Sequence, residues 1–438
     1  MSIDRRNLLV STLFGAGYVG LRALVTGIPA AVLLRGPRVL ADVSAAAPTN
    51  PQFVILQTSG NGDPINANAP GTYADPKIVH SLDPSMAPTA MTIGGHQTKA
   101  ALPWSTLPQA VLDRASFWHI MTNTPVHPRE PDVLSLLNTT KGNEMLPSLL
   151  AKQLAQPLGT VQQQPITLGA STPSEGLRFG GQALPIIPPL ALKATLTSPT
   201  GPLANLAALQ RMRDQTLAQL DDIYRETATK AQKTYLDALI TSQAQVRGIN
   251  QDLLGALGTI KDNSVASQIT AAIVLIQMKV TPVVAIHIPF GGDNHSDALL
   301  ATEAKQTVAG VASIAALMAQ LQAAGLQDQV SLISLNVFGR TLGPGNEDGR
   351  QHNQNHQVSF AIGKPFKGGI VGGVAPVGAD YGATAIDSAT GAGKAGGDIA
   401  PPDTLASFGK TLLAAVGSDP AFIDGAITFG KVVPGALA

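Results

Sequence analysis

"VTPVVAIHIPFGGDNHSD" occupies residues 280–297, and the fold is read outward from it. Its first half is a short run of Val and Ile, the signature of a buried strand. It breaks at Pro289 and the glycines Gly291 and Gly292 into a polar loop carrying Asp293, Asn294 and His295. Residues 298–325, "ALLATEAKQTVAGVASIAALMAQLQAAG", then read as a long amphipathic helix stopped by Gly325, and "QVSLISLNV" at 329–337 as a second strand. A further polar loop follows, "FGRTLGPGNEDGRQHNQNH" at 338–356. Strand, helix, strand is a βαβ unit, and its right-handed crossover makes the two strands parallel, with both loops at one end of the sheet. Asp293, His295, His352 and His356 are thereby predicted to share a site although they lie far apart in the chain.

Alternate residues of an extended loop point to the same side, so Asp293 and His295 suit two ligands of one metal. The same loop suits a capping turn, with Asn294, Ser296 or Asp297 on the helix that follows. His352 and His356 reach one ion if their loop curls, and imidazole favours zinc, iron or copper over calcium. A solvated polar turn is the other reading of that pair. Arg340, directly after a strand, has the planar fork that binds an anionic group.

Other segments extend the sheet. "PQFVILQTSGNGDPIN" at 51–66 is a buried strand ending in a Gly/Asn/Asp turn. Groups beyond the carboxyl ends of parallel strands are where function gathers, which places Asn61 and Asp63 there. "SFWHIMT" at 116–122 reads as another strand, and "NTPVHPRE" puts His127 in its end loop. His119 and His287 fall inside strands and read as core histidines, whereas His80 and His96 lie in loops with no partner pattern. A helix is expected over 141–156, a strand at "QPITLGA" (164–170), a strand and glycine-rich hairpin at "QVSFAIGKPFKGGIVGG" (357–373), and a last helix at "PPDTLASFGKTLLAAVG" (401–417). Residues 203–247 contain neither Gly nor Pro and repeat Leu203, Leu206, Leu209 and Met212 at helical spacing, which predicts a helical insert over about 203–260 with a kink near 227–229.

Composition narrows the function classes. The 438 residues carry 29 Lys+Arg and 29 Asp+Glu, a formal charge of zero, which argues against a nucleic-acid partner. The 44 glycines and 32 prolines imply many long loops, while 44% hydrophobic content is that of a folded domain. With no cysteine, disulfides, thiol nucleophiles and thiolate metal sites are excluded.

The amino-terminal 48 residues read as an address. Arg5 and Arg6 precede an apolar stretch, interrupted by Arg22, that closes on the small residues Val43, Ser44 and Ala45. This is the layout of a twin-arginine export signal, and it predicts passage through the twin-arginine export machinery to a periplasmic or secreted location. The alternative is a retained anchor. The apolar run before Arg22 is shorter than the roughly 20 residues a span needs, so no stable membrane span is expected after cleavage.

"FGGDNHSD", "FGRT" and "GRQHNQNHQVSFAIGKPFKGGIVGG", in this order, resemble the bacterial exported family known as domain of unknown function 1501, itself similar to the alkaline phosphatase and sulfatase superfamily. The likeness spans most of residues 52–417 and is strongest over about 265–375. It implies an alkaline-phosphatase-like α/β three-layer sandwich with a mostly parallel central sheet, formed by residues 49–438 as one domain. It implies a divalent metal (zinc, manganese or iron) held by Asp293, His295 and His352, with Asp63 as a further ligand; His356, which the family pattern does not require, is the candidate to replace a lost ligand. Arg340 and Asn61 then fall on the catalytic side, with Thr58 and Ser59 as the nearby hydroxyls, and the reaction implied is hydrolysis of a phosphate or sulfate ester. Two positions depart from the family pattern: Val337 stands for a glutamate and Gln351 for an aspartate. Losing those carboxylates points to the alternative function, a non-catalytic extracytoplasmic protein with a degenerate metal site, binding for example an envelope glycan.

Overall fold

The computed structural model describes residues 47–197 and 251–438. The export-signal segment up to residue 46 and most of the expected insert, including the 227–229 kink, lie outside the described residues. No helix among the described residues is long and apolar enough to cross a membrane.

The chain is an α/β protein built on a seven-stranded, mostly parallel sheet. In chain order the strands are β1 (Phe53–Ser59), β2 (Ala115–Ile120), β3 (Ile166–Thr167), β4 (Val283–Ile286), β5 (Val330–Asn336), β6 (Gln357–Ile362) and β7 (Gly369–Val371). Their spatial order is β7-β2-β6-β5-β1-β4-β3. All neighbours are parallel except those of β6, which runs antiparallel to both β2 and β5. The expected hairpin after β6 is not formed within the sheet. β6 and β7 are not neighbours, because the chain crosses β2 and adds β7 parallel on its far side.

Both faces of the sheet are covered, which is why its strands read as apolar runs. Helices α1 (Leu146–Leu158) and α4 (Thr404–Ala415) bury Leu150, Leu154, Phe408 and Leu412 with Val54, Leu56, Val283 and Leu335. Helices α2 (Val265–Gln277) and α3 (Ala301–Ala323) bury Ile273, Val311, Ile314 and Leu321 with Phe53, Ile55, Val284 and Leu332. The alternation Phe53, Ile55 against Val54, Leu56 is the strand period dividing side chains between two cores.

The predicted unit β4–α3–β5 is present, with one refinement: β1 lies between its two strands. The turn at residues 60–63 is therefore delivered between the loops that follow β4 and β5. Asp297 plays the structural part anticipated for it, its carboxylate accepting the first-turn N–H groups of Thr302 (2.8 Å) and Glu303 (2.9 Å).

Candidate metal centre

Three strand ends contribute four residues to one cluster. His127 leaves β2, Asp293 and His295 leave β4, and His352 lies in the loop between β5 and β6. One ligand atom from each of these four residues falls within 4.8 Å of all the others. Asp293 and His295 are exposed and His127 and His352 half-buried, so the cluster opens to solvent.

The outer partners of the three imidazoles set their protonation. His127 Nδ1 meets the Gly60 carbonyl at 2.8 Å, His352 Nδ1 meets the Pro125 carbonyl, and His295 Nδ1 meets Gln351 Oε1 at 2.9 Å. Those oxygens only accept, so each Nδ1 carries a proton, and in the neutral ring the lone pair is on Nε2. The lone pairs converge. His295 and His352 Nε2 are 2.8 Å apart, His295 Nε2 is 3.2 Å from Asp293 Oδ1, and His127 Nε2 is 3.4 Å from Asp293 Oδ2. Two bare ring nitrogens at that separation repel unless a shared proton or a metal cation lies between them. Imidazoles fixed through Nδ1 by carbonyl groups, with Nε2 free, are the arrangement of metal-ligating histidines.

Arg340 frames the cluster from beneath and is fully buried. Its Nε donates to the Gly62 carbonyl (2.5 Å), its Nη2 to the Asn61 carbonyl (2.5 Å) and to Asp293 Oδ1 (2.9 Å), and its Nη1 to the Arg350 carbonyl (3.4 Å). Three successive carbonyls, those of Gly60, Asn61 and Gly62, thus hold His127 and Arg340. Partial burial alone would raise the Asp293 carboxyl, but the hydrogen bond and charge of Arg340 bring it below the usual range. Asp293 is held ionised. Burial shifts His352 the other way, toward the neutral imidazole a metal requires.

Asp63 and His356 are not in the cluster. Asp63 is buried, and its Oδ1 accepts from the backbone N–H of Phe290 (3.2 Å) and Gly292 (2.7 Å), so it clamps the β4 loop from behind. His356 sits at the threshold of β6, where the chain turns back into the sheet, and it is fully buried against His119. Four residues along a loop that re-enters a strand do not curl around one ion. Asn61 is half-buried, with its carbonyl on Arg340. Thr58 and Ser59 are buried; the Thr58 hydroxyl donates to Glu175 Oε2 at 2.9 Å and the Ser59 oxygen accepts from Asn61 N–H at 3.3 Å.

The departures from the family pattern take on definite roles. Val337 packs in the apolar core, where a carboxylate has no solvent. Gln351 reaches His295 and orients its ring. His127 was placed in an end loop by its strand, but nothing in its spacing to the other histidines signals a shared site. No protein-family model matches this chain, and no curated protein matches it.

Proposed function

We propose that the chain is an exported, alkaline-phosphatase-like hydrolase whose divalent ion is held by His127, Asp293, His295 and His352. The observation that supports this is the convergence of three Nε2 atoms, each on a ring held through Nδ1 by an oxygen acceptor, and one carboxylate within 4.8 Å. Three nitrogens and one oxygen fit zinc best, with iron and manganese next. A divalent ion in such a site supplies Lewis acidity toward an ester oxygen and a nucleophile from water at neutral pH. Three neutral imidazoles and one carboxylate leave such an ion with a net positive charge, and buried Arg340 adds another. That field selects an anionic substrate, of which a phosphate or sulfate ester is the expected class. Arg340 acts here by fixing Asp293 rather than by gripping the ester, because its donors are turned to carbonyls, to Asp293 and, at 3.5 Å, to His295 Nε2.

Elemental analysis of the exported chain tests this reading, together with turnover of generic aryl phosphates and sulfates. About one zinc, iron or manganese per chain, lost in His295→Ala together with turnover, is expected. A chain that folds without metal and turns over neither ester class would overturn it.

One observation favours a second reading, a metal-bearing binding protein without turnover. The hydroxyls nearest the β1 end, Thr58 and Ser59, are buried and hydrogen-bonded, so neither is free to attack. Metal retained at one per chain with no ester turnover, and with retention on envelope polysaccharide, would single it out.

A further inference from the structure

Behind the centre lies a second pair of histidines that the reading above does not use. His119 on β2 and His356 at the start of β6 are both fully buried, with His119 Nδ1 2.9 Å from His356 Nε2. Asn66 joins them to the site through the peptide of Arg340.

The polarity of this chain of contacts is fixed from one end to the other. The Arg340 N–H donates to Asn66 Oδ1 at 2.9 Å, and Asn66 Nδ2 donates to the Arg340 carbonyl at 2.8 Å. The Asn66 amide thereby embraces both polar groups of the Arg340 peptide, as a neighbouring strand would, and its orientation is settled. Its second N–H faces His356 Nδ1 at 3.2 Å, nearer than the His356 carbonyl at 3.5 Å, and with the polarity set at the Pro70 end this makes Nδ1 an acceptor. A neutral His356 with Nδ1 bare carries its proton on Nε2 and donates to His119 Nδ1. His119 in turn carries its proton on Nε2 and donates to the Pro70 carbonyl at 2.9 Å. Every group has one role, and a reversed tautomer at any link sets two donors or two acceptors face to face. Burial favours the neutral form of both rings, pushing His119 down to about 4 and His356 well below its ordinary value.

We infer that Asn66, His356 and His119 are positioning residues for the metal centre, acting through the Arg340 peptide. The inference rests on the metal reading. Arg340 is the link because its side chain holds Asp293 and its backbone pairs with that of His352 in the short antiparallel ladder Gly339–Arg340 with His352–Asn353. A shift of this one peptide moves two of the four ligands together.

The test reads the chain and the centre separately. Metal-free wild-type protein with 15N-labelled histidine should show His119 and His356 as neutral rings protonated on Nε2 at neutral pH. Asn66→Asp, which can only accept, should move a proton to His356 Nδ1 and weaken zinc, measured by chelator competition, about tenfold. His119→Leu should weaken zinc similarly, and His119→Gln, whose amide oxygen can accept from His356 Nε2, should restore most of the affinity. A wild-type His356 protonated on Nδ1 overturns the inference whether or not the variants fold. So do folded Asn66→Asp and His119→Leu proteins with wild-type zinc affinity. If the wild type takes up no zinc while showing the expected ring protonation, the metal reading fails and the positioning role fails with it, leaving only a packing motif.

Discussion

Glu303 and Arg350, 47 residues apart, meet in an ion pair in which neither side chain is exposed: Arg350 Nε lies 2.7 Å from Glu303 Oε2, and Arg350 Nη2 3.1 Å from Oε1. Asn294 Nδ2 donates to the same Oε2 (3.0 Å) and Asn68 Nδ2 to Oε1 (3.1 Å). Arg350 also donates to the carbonyls of Thr341 (2.9 Å) and Val79 (2.8 Å). A buried pair is sustained only when its other lone pairs and protons find partners, and here both Glu303 oxygens and four of the five Arg350 side-chain N–H groups do. The Arg350 N–H also donates to the Asn294 carbonyl at 2.9 Å, so this knot ties the loop of His295 to the loop of His352.

Breaking one side of that knot should be severe. Glu303→Ala leaves a buried guanidinium without its counter-charge, and a loss of about 3 to 5 kcal/mol is expected in urea unfolding. Glu303→Met combined with Arg350→Met should lose less than the two single changes added together. Single variants within about 0.5 kcal/mol of wild type would show that the pair does not hold the loops.

Gln351 should matter to metal binding although it is not itself in the cluster. Gln351→Ala frees His295 Nδ1 from its acceptor, and zinc affinity is expected to fall about 10- to 100-fold. Gln351→Glu keeps an acceptor and adds charge, so it should bind zinc at least as tightly as wild type. Chelator competition measures both, and equal affinities across the three proteins would refute the orienting role.

Gly349 is required by a close approach. A Cβ there would lie 2.3 Å from the His295 carbonyl oxygen, and its φ of +139° is one that side chains rarely adopt. Gly349→Ala should push the two loops apart, lowering zinc affinity and stability together. Gly345→Ala, with φ of +92° but no atom within 4 Å, should show the backbone strain alone and keep zinc. Equal zinc affinity in the two variants would contradict the packing argument.

Stability should fall as the medium is acidified through the histidine range. The folded-state pKa of His119 is depressed from 6.5 to about 4 by burial, so the unfolded chain binds the proton first. Its contribution is fully present above about pH 6.5 and is lost as the pH falls toward about 4, a change on the order of 3 kcal/mol. His356, shifted the same way, adds to it. Urea midpoints across that window should drop for wild type and drop less steeply in His119→Gln, in which His356 still titrates. A flat wild-type profile would mean that the pair is not neutral in the fold.

The parallel arrangement around β4 and β5 was legible because Val and Ile runs, a long amphipathic helix and a Gly stop are local signals. From it followed the meeting of Asp293, His295 and His352, since one crossover sends both loops to the same end of the sheet. His127 carried no such signal. Its strand, β2, reaches the site only because antiparallel β6 bridges it to β5, a pairing that no local pattern announces. His356 misled because its four-residue spacing from His352 resembles a ligand pair, whereas its place at the β6 threshold turns it into the core.

The residues alone determined which loops end on which strands, and therefore three of the four members of the cluster. Only the folded chain decided the fourth member, the burial of Asp63 and His356, and the use of Gln351 as an orienting group. Strand ends are written in short stretches of apolar periodicity. Which side chain faces an opening, and what its far ring nitrogen touches, depends on contacts such as Glu303 with Arg350 and His127 with Gly60, between residues that the chain itself keeps far apart.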